Sequence, residues 1–323
     1  MNAPDLNPRG VRAVIFDISG TVLDFGCHGP VAAFIELFAR HGVSLSAAEA
    51  RGPMGAHKRD HIWTLLTEAP IAARWEAANH SRPTQALLEA LCAEFARLQA
   101  EVLEHHCGVI PGVPEVVSEL RRRGIKIANT TGFERCMITN LIPRAAQAGY
   151  SPDLWVCPDQ VGQGRPAPWM IFHAARELGV YPMRALVKVG DTPADVAEGH
   201  AAGTWVVAVV RSGNETGCTE AELAALPLAA RAARLEAAQA KLAACGPHYL
   251  IDTVADLMPV IDAVSLRIAR GECPPLPESA APVPLDYARR EASGSREERL
   301  VSPPHGTAHL PAEPGTPSHP TKD

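Results

Sequence analysis

The 323-residue sequence has no excess of positive charge, no closely spaced cysteine pair, no long apolar run and no internal repeat. Each absence closes off a class of function. A formal net charge of -6 gives no long-range pull on nucleic acid or anionic membrane, so a phosphorylated ligand must be held by local donors or a metal. The cysteines (Cys27, Cys92, Cys107, Cys136, Cys157, Cys218, Cys245 and Cys273) are scattered, and none forms the C-x-x-C of a zinc site or redox dithiol. The opening MNAPDLNPRG lacks the apolar region of a signal peptide, and no stretch approaches membrane-spanning length. A cytoplasmic protein with free thiols is expected, with no nucleic-acid or membrane partner.

What is present suits a globular chain. Hydrophobic residues make up 46% and charged residues 20%, over a length that allows one large domain or two unequal ones. Val11 to Phe16 (VRAVIF) reads as a short buried strand ending at Asp17. Val31 to His41 carries Ala33, Phe34, Leu37 and Phe38 at helical spacing. From 46 to 106 the pattern is helical, punctuated by Pro53, Pro70 and Pro83. After Gly108 strands and helices alternate. Strands are expected at 125–129, 154–156, 186–189 and 204–210, with helices between them, at 219–245 and at 254–269. This alternation predicts a parallel sheet covered by helices, interrupted after its first strand by a helical insertion. The expected division is an α/β core over 1–24 and 107–270, a small helical cap over 25–106, and a Pro-rich disordered tail over 271–323.

In open α/β sheets the ligand site lies beyond the carboxyl ends of the strands, where this pattern delivers Asp17, Thr131 and Asp191. A carboxylate at a strand end is often only a helix cap. Two carboxylates meeting at one sheet edge repel unless a cation lies between them, and oxygen ligands suit Mg²⁺.

The run Asp17-Ile18-Ser19-Gly20-Thr21 resembles the first motif of the haloacid dehalogenase superfamily. Thr131 matches the second motif, Arg165 the cation of the third, and Gly190-Asp191-Thr192-Pro193-Ala194-Asp195 the fourth. The resemblance implies a Rossmann-like core with an inserted cap and a nucleophilic Asp17. It also implies Mg²⁺ held by Asp17, the Ser19 carbonyl and Asp191, with Asp195 behind these or acting through water. Superfamily phosphatases usually place an acid at position 19, and a serine hydroxyl cannot protonate a leaving oxygen at neutral pH.

The segment EARGPMGAHKRDH from Glu49 to His61 resembles the cap of the phosphonoacetaldehyde hydrolase family. FGC at Phe25, TTG at Thr130, GRPAPWM at Gly164, ELGVYPM at Glu177 and KVGDT at Lys188 extend the match over 11 to 265. This implies that Lys58 forms a Schiff base with the substrate aldehyde. Cleavage of a carbon–phosphorus bond then expels a neutral enamine that needs no acid at position 19. The implied activity belongs to 2-aminoethylphosphonate degradation, in a homodimer. Thr131, Gly132, Arg165, Met54 and Cys27 are expected to bind substrate. His61, one turn after Lys58, is expected to shuttle protons, and Arg59 and partial burial to depress the Lys58 amine. Phe133 replaces the tyrosine that often follows TTG, removing one phenol donor. Two other readings stay open: an ordinary phosphomonoesterase of this fold with Lys58 binding an anion, and a non-catalytic scaffold recruiting partners through its tail.

Overall fold

The computed structural model describes residues 10–275, so the tail expected from 271 lies outside the described residues from 276 onward. The chain opens with strand β1 (Ala13–Phe16) and runs directly into helices α1 (His28–Arg40), α2 (Ala47–Arg51), α3 (Lys58–Thr67), α4 (Ala69–Asn79) and α5 (Gln85–Leu103). It continues through α6 (Val113–Arg122), β2 (Lys126–Thr130), α7 (Arg135–Ile138), α8 (Leu141–Gln147), β3 (Leu154–Val156) and α9 (Trp169–Leu178). The last part holds β4 (Leu186–Gly190), α10 (Pro193–Ala201), β5 (Trp205–Val209), α11 (Glu220–Ala225), α12 (Leu228–Ala243), β6 (Tyr249–Ile251) and α13 (Leu257–Ala269).

The strands form one parallel sheet in the order β3-β2-β1-β4-β5-β6. A parallel sheet is covered on both faces, and the strands accordingly read as apolar runs with every residue of β1, β4 and β5 buried. Side chains alternate: Val14 and Phe16 of β1 join one core cluster, Ala13 and Ile15 the opposite one with Met170, Ile171 and Ala174 of α9. Phe16 is in register with Asn129 on one side and Val189 on the other, so β2, β1 and β4 end level. The chain order reverses direction across the sheet at β1, which makes that edge the crevice of the fold.

The helices between β1 and α6 form where the sequence spacing predicts them. Ser46 and Glu49 make a reciprocal capping box for α2, Pro70 sits in the first turn of α4, and Thr84 caps α5 just after Pro83. Their apolar faces meet through Phe34 stacked on Phe95 at 4.4 Å and Phe38 set edge-on to Trp75. Helix α1 starts earlier than expected because the Asp24 carboxylate accepts from the His28 and Gly29 amides at 3.1 and 2.8 Å. Strand β6 was not expected: it is three residues at the sheet edge, too short to show alternation. The helix expected over 219–245 divides at Pro227, whose ring cannot continue α11. Among the described residues no helix is long and apolar enough to cross a membrane, and all the cysteines are free.

Candidate active site

A cavity opens at the carboxyl ends of β1, β2 and β4, with walls from both the sheet edge and the helical insertion. The core contributes Asp17, Ser19, Thr131, Gly132, Phe133, Arg165 and Thr192; the insertion contributes Cys27, Pro30, Met54, Gly55 and Lys58. All the sequence-selected site residues are here except His61, Asp191 and Asp195. Two backbones meet closely at its rim. Gly55 has φ of +87°, and a Cβ there would lie 2.2 Å from Thr192 Oγ1; one on Gly132 would lie 2.5 Å from the Ala56 carbonyl oxygen. Only residues without side chains permit this approach.

Asp17 follows β1 directly, its amide donating to the Val189 carbonyl at 2.9 Å. Its carbonyl and that of Phe16 accept from Asn129 Nδ2, and Tyr150 donates its hydroxyl to Asn129 Oδ1 at 2.5 Å. The nucleophile candidate is therefore braced from β2. Its carboxylate Oδ1 lies 2.7 Å from Arg165 Nη2. Burial raises the Asp17 pKa to about 6, Arg165 opposing and Asp195 adding to the rise.

Arg165 is wholly buried and serves three carboxylates. Beyond Asp17, its Nη1 reaches Asp195 at 2.9 Å and its Nε reaches Glu198 at 2.9 Å, while Nη2 also donates to the Thr130 carbonyl at 2.6 Å. Lys188, inside β4, lies 3.0 Å from both Asp195 and Glu198 and donates to Thr130 Oγ1 at 2.8 Å. Sequence reasoning missed Lys188 and Glu198. Their signal was legible: a lysine within the buried run LVKV must be paired, and Asp195 and Glu198 share a helix face at i, i+3.

Asp191 accepts from Thr21 Oγ1 at 2.8 Å and from the Asn214 amide at 2.7 Å. Its pKa is pushed well above the usual range, first by burial and then by Asp17 and Asp195. Oxygens of Asp17, Asp191 and Asp195 all lie within 4.8 Å of one another. The donor set fits a divalent cation: Asp17 and Asp195 are paired to the buried Arg165, while the buried Asp191 carboxylate is held by Thr21 and the Asn214 amide and converges on the other two. All-oxygen donors of this kind suit Mg²⁺.

Lys58 is the first residue of α3 and is 4% exposed. Its Nζ lies 4.8 Å from the Phe133 ring centroid, 5.5 Å from that of Phe34 and 3.8 Å from Met54 Sδ. Burial lowers its pKa to about 8, Cys27 and Asp17 opposing and Arg165 assisting. The expectation that Arg59 depresses this amine is corrected: the Arg59 guanidinium turns away to Glu89 and Gln85 on α5, at 2.7 and 2.9 Å. Successive helix residues point about 100° apart, so sequence adjacency does not make spatial adjacency.

The remaining residues divide. Met54 and Cys27 line the wall around the Lys58 amine, and burial holds the Cys27 thiol far above its usual pKa, hence neutral. Phe133, in the tyrosine position, presents its ring to that amine. The Ser19 hydroxyl is buried without a hydrogen-bond partner among the described residues. His61 does not line the cavity. It is fully buried, stacks on Phe34 at 3.8 Å, and its Nε2 lies 3.0 Å from the Ala50 carbonyl. Burial, with Lys58 adding, lowers its pKa well below the ordinary value.

This fold and carboxylate cluster define a haloacid dehalogenase-like hydrolase, and the model of that family matches residues 11–203, with a related hydrolase model over 162–257. A phosphonoacetaldehyde hydrolase of Nitratidesulfovibrio vulgaris is 43% identical over 264 residues, covering 82% of this chain and 94% of that protein. One from Bacillus cereus is 41% identical over 255 residues, covering 79% and 96%. The crystal structure of a phosphonoacetaldehyde hydrolase-like protein from Oleispira antarctica superposes with a TM-score of 0.81 at 37% identity, covering 85% of this chain and 99% of that one. The chain belongs to the phosphonoacetaldehyde hydrolase family within the haloacid dehalogenase-like hydrolases.

Proposed function

We propose that this protein hydrolyses phosphonoacetaldehyde to acetaldehyde and phosphate, with Lys58 and Asp17 as its two covalent groups. One observation carries the reading: a desolvated amine on the helical insertion and a braced carboxylate at the sheet edge line the same cavity. A phosphomonoesterase would have no use for an amine whose pKa lies near 8, since an anion is bound best by a fully charged lysine.

The Lys58 amine adds to the aldehyde carbon and loses water, giving an imine that is protonated on nitrogen. Asp17 attacks phosphorus; the carbon–phosphorus electron pair moves into the iminium, and an enamine leaves. Arg165 holds the charged oxygens as the phosphoryl group is transferred to Asp17. Water cleaves the aspartyl phosphate, releasing phosphate. The enamine takes a proton on carbon, and water hydrolyses the resulting imine to acetaldehyde and free Lys58. No oxygen leaving group is formed, which accounts for Ser19 where an acid usually stands. Asp17, the Ser19 carbonyl and Asp191 would hold Mg²⁺, which supplies charge neutralisation for phosphoryl oxygens. Cys27, Met54, Thr131 and Gly132 shape the substrate pocket, while His61, buried against Phe34 with its Nε2 at the Ala50 carbonyl, takes a packing role in place of the expected proton shuttle.

In this reading residues 25–106 form a cap that closes on a core of 1–24 and 107–270, excluding water from the imine. The free thiols support a cytoplasmic setting, and the family resemblance supports a homodimer. The decisive assay is release of acetaldehyde and phosphate from phosphonoacetaldehyde, with and without Mg²⁺. Stoichiometric release of both supports the reading, and hydrolysis of phosphomonoesters alone would replace it.

A further inference from the structure

One side chain of the helical insertion grips the core without touching the cavity. Arg51, at the end of α2, donates from Nη1 to the carbonyls of Gly26 (2.7 Å) and Cys27 (3.3 Å), which belong to the segment joining β1 to α1. The same guanidinium donates to Asn214 Oδ1 at 3.1 Å and to the Asn214 and Gly217 carbonyls at 3.5 and 3.4 Å. In return, Asn214 Nδ2 approaches the Arg51 carbonyl at 3.5 Å. Three separate pieces of chain thus converge on one cation: α2, the linker and the loop after β5. The linker is also tied to that loop directly, by the Gly26 amide donating to the Ser212 carbonyl at 2.7 Å.

The loop is not a passive anchor. The backbone amide of Asn214, the residue held by Arg51, is the donor that fixes Asp191 Oδ2 at 2.7 Å. Loosening Asn214 therefore loosens a carboxylate of the cation site, and displacing that carboxylate loosens the grip on Arg51. We propose that Arg51 is the latch of the closed cap, and that through Asn214 it couples closure to the geometry of Asp191. Arg51 is a positioning residue here; the inference rests on the cap-and-core reading given above. An arginine fork can reach several acceptors at once, which a lysine ammonium cannot. Coupling of this kind is reciprocal: what favours closure tightens the cation, and what tightens the cation favours closure.

The test uses the full chain as wild type, Arg51→Met and Arg51→Lys. Three measurements are made: steady-state kinetics with phosphonoacetaldehyde, Mg²⁺ affinity by calorimetry without substrate, and amide hydrogen exchange over residues 24–28. Arg51→Met is expected to raise KM roughly tenfold while kcat at saturating substrate stays within about twofold, because substrate then supplies the closing energy. Mg²⁺ binding should weaken by a similar factor and exchange over the linker should quicken. Arg51→Lys should fall between the two, and carries the test if Arg51→Met does not fold. Wild-type KM, Mg²⁺ affinity and linker exchange in a folded variant would overturn the latch, as would a fall in kcat with KM unaltered. Failure of the underlying activity is distinguishable: wild type would then release no acetaldehyde, while the Mg²⁺ and exchange measurements would still judge Arg51.

Discussion

Replacing Lys58 by methionine should destroy the imine and stabilise the fold together. The side chain is 4% exposed, beside two aromatic rings and a thioether, in surroundings that suit an apolar group better than an ammonium. Its pKa falls from 10.5 to about 8, with burial the largest cause. The sign follows from proton counting. Below pH 8 both folded and unfolded chains hold the proton and the folded state bears the full penalty. Between pH 8 and 10.5 the unfolded chain binds more protons, so wild-type stability rises with pH and the penalty disappears. The gap corresponds to ~3 kcal/mol. Lys58→Met, close in volume, should thus be about 2–3 kcal/mol more stable than wild type at pH 7, the difference shrinking towards pH 10. Denaturant unfolding of both proteins at the two pH values measures this. Borohydride trapping with the aldehyde, followed by peptide mass spectrometry, measures the imine. A variant no more stable than wild type at pH 7, or an adduct found on the exposed Lys126 as readily as on Lys58, would refute the picture of a desolvated catalytic amine.

Further consequences follow from the same geometry. Asp17→Asn should abolish phosphate release, by at least about a thousandfold on the scale of lost nucleophiles, while Lys58 is still trapped by borohydride. Imine formation on Lys58 should accelerate about tenfold per pH unit below 8 and level off above it, whereas a solvated lysine would go on rising; trapping rates between pH 6 and 9 decide. Glu198→Gln, which removes one carboxylate from buried Arg165 and Lys188, should destabilise the protein by about 3–5 kcal/mol, read from its unfolding midpoint. Chelation should stop phosphate release and added Mg²⁺ should restore it, as phosphate assay before and after dialysis will record.

Much of the candidate site is legible along the chain because strand ends are. An apolar run that stops at Asp17, and another that stops at Gly190-Asp191, can only place those carboxylates at one edge of a parallel sheet. The helical spacing from 46 to 106, with Pro70 and Pro83 at the starts of α4 and α5, likewise marks the insertion. Arg59 is the instructive failure: it neighbours Lys58 in sequence, yet points to Glu89 while the distant Arg165 acts on the amine. His61 shares the turn of Lys58, yet packs on Phe34 outside the cavity. Strand β6 was hidden because an edge strand of three residues has no periodicity to read.

The sequence by itself determined the order of the first five strands and the helical insertion after β1, the placement of Asp17 and Asp191 at strand ends, and the family to which these motifs belong. Those features depend on local pattern, and a one-dimensional pattern carries them. Only the tertiary structure decided that Lys58 is dry, that Arg165 bridges Asp17, Asp195 and Glu198, and that Arg51 joins the insertion to the loop holding Asp191. Desolvation and ion pairing depend on which distant segments come within a few ångströms, and that is settled only when the chain has packed.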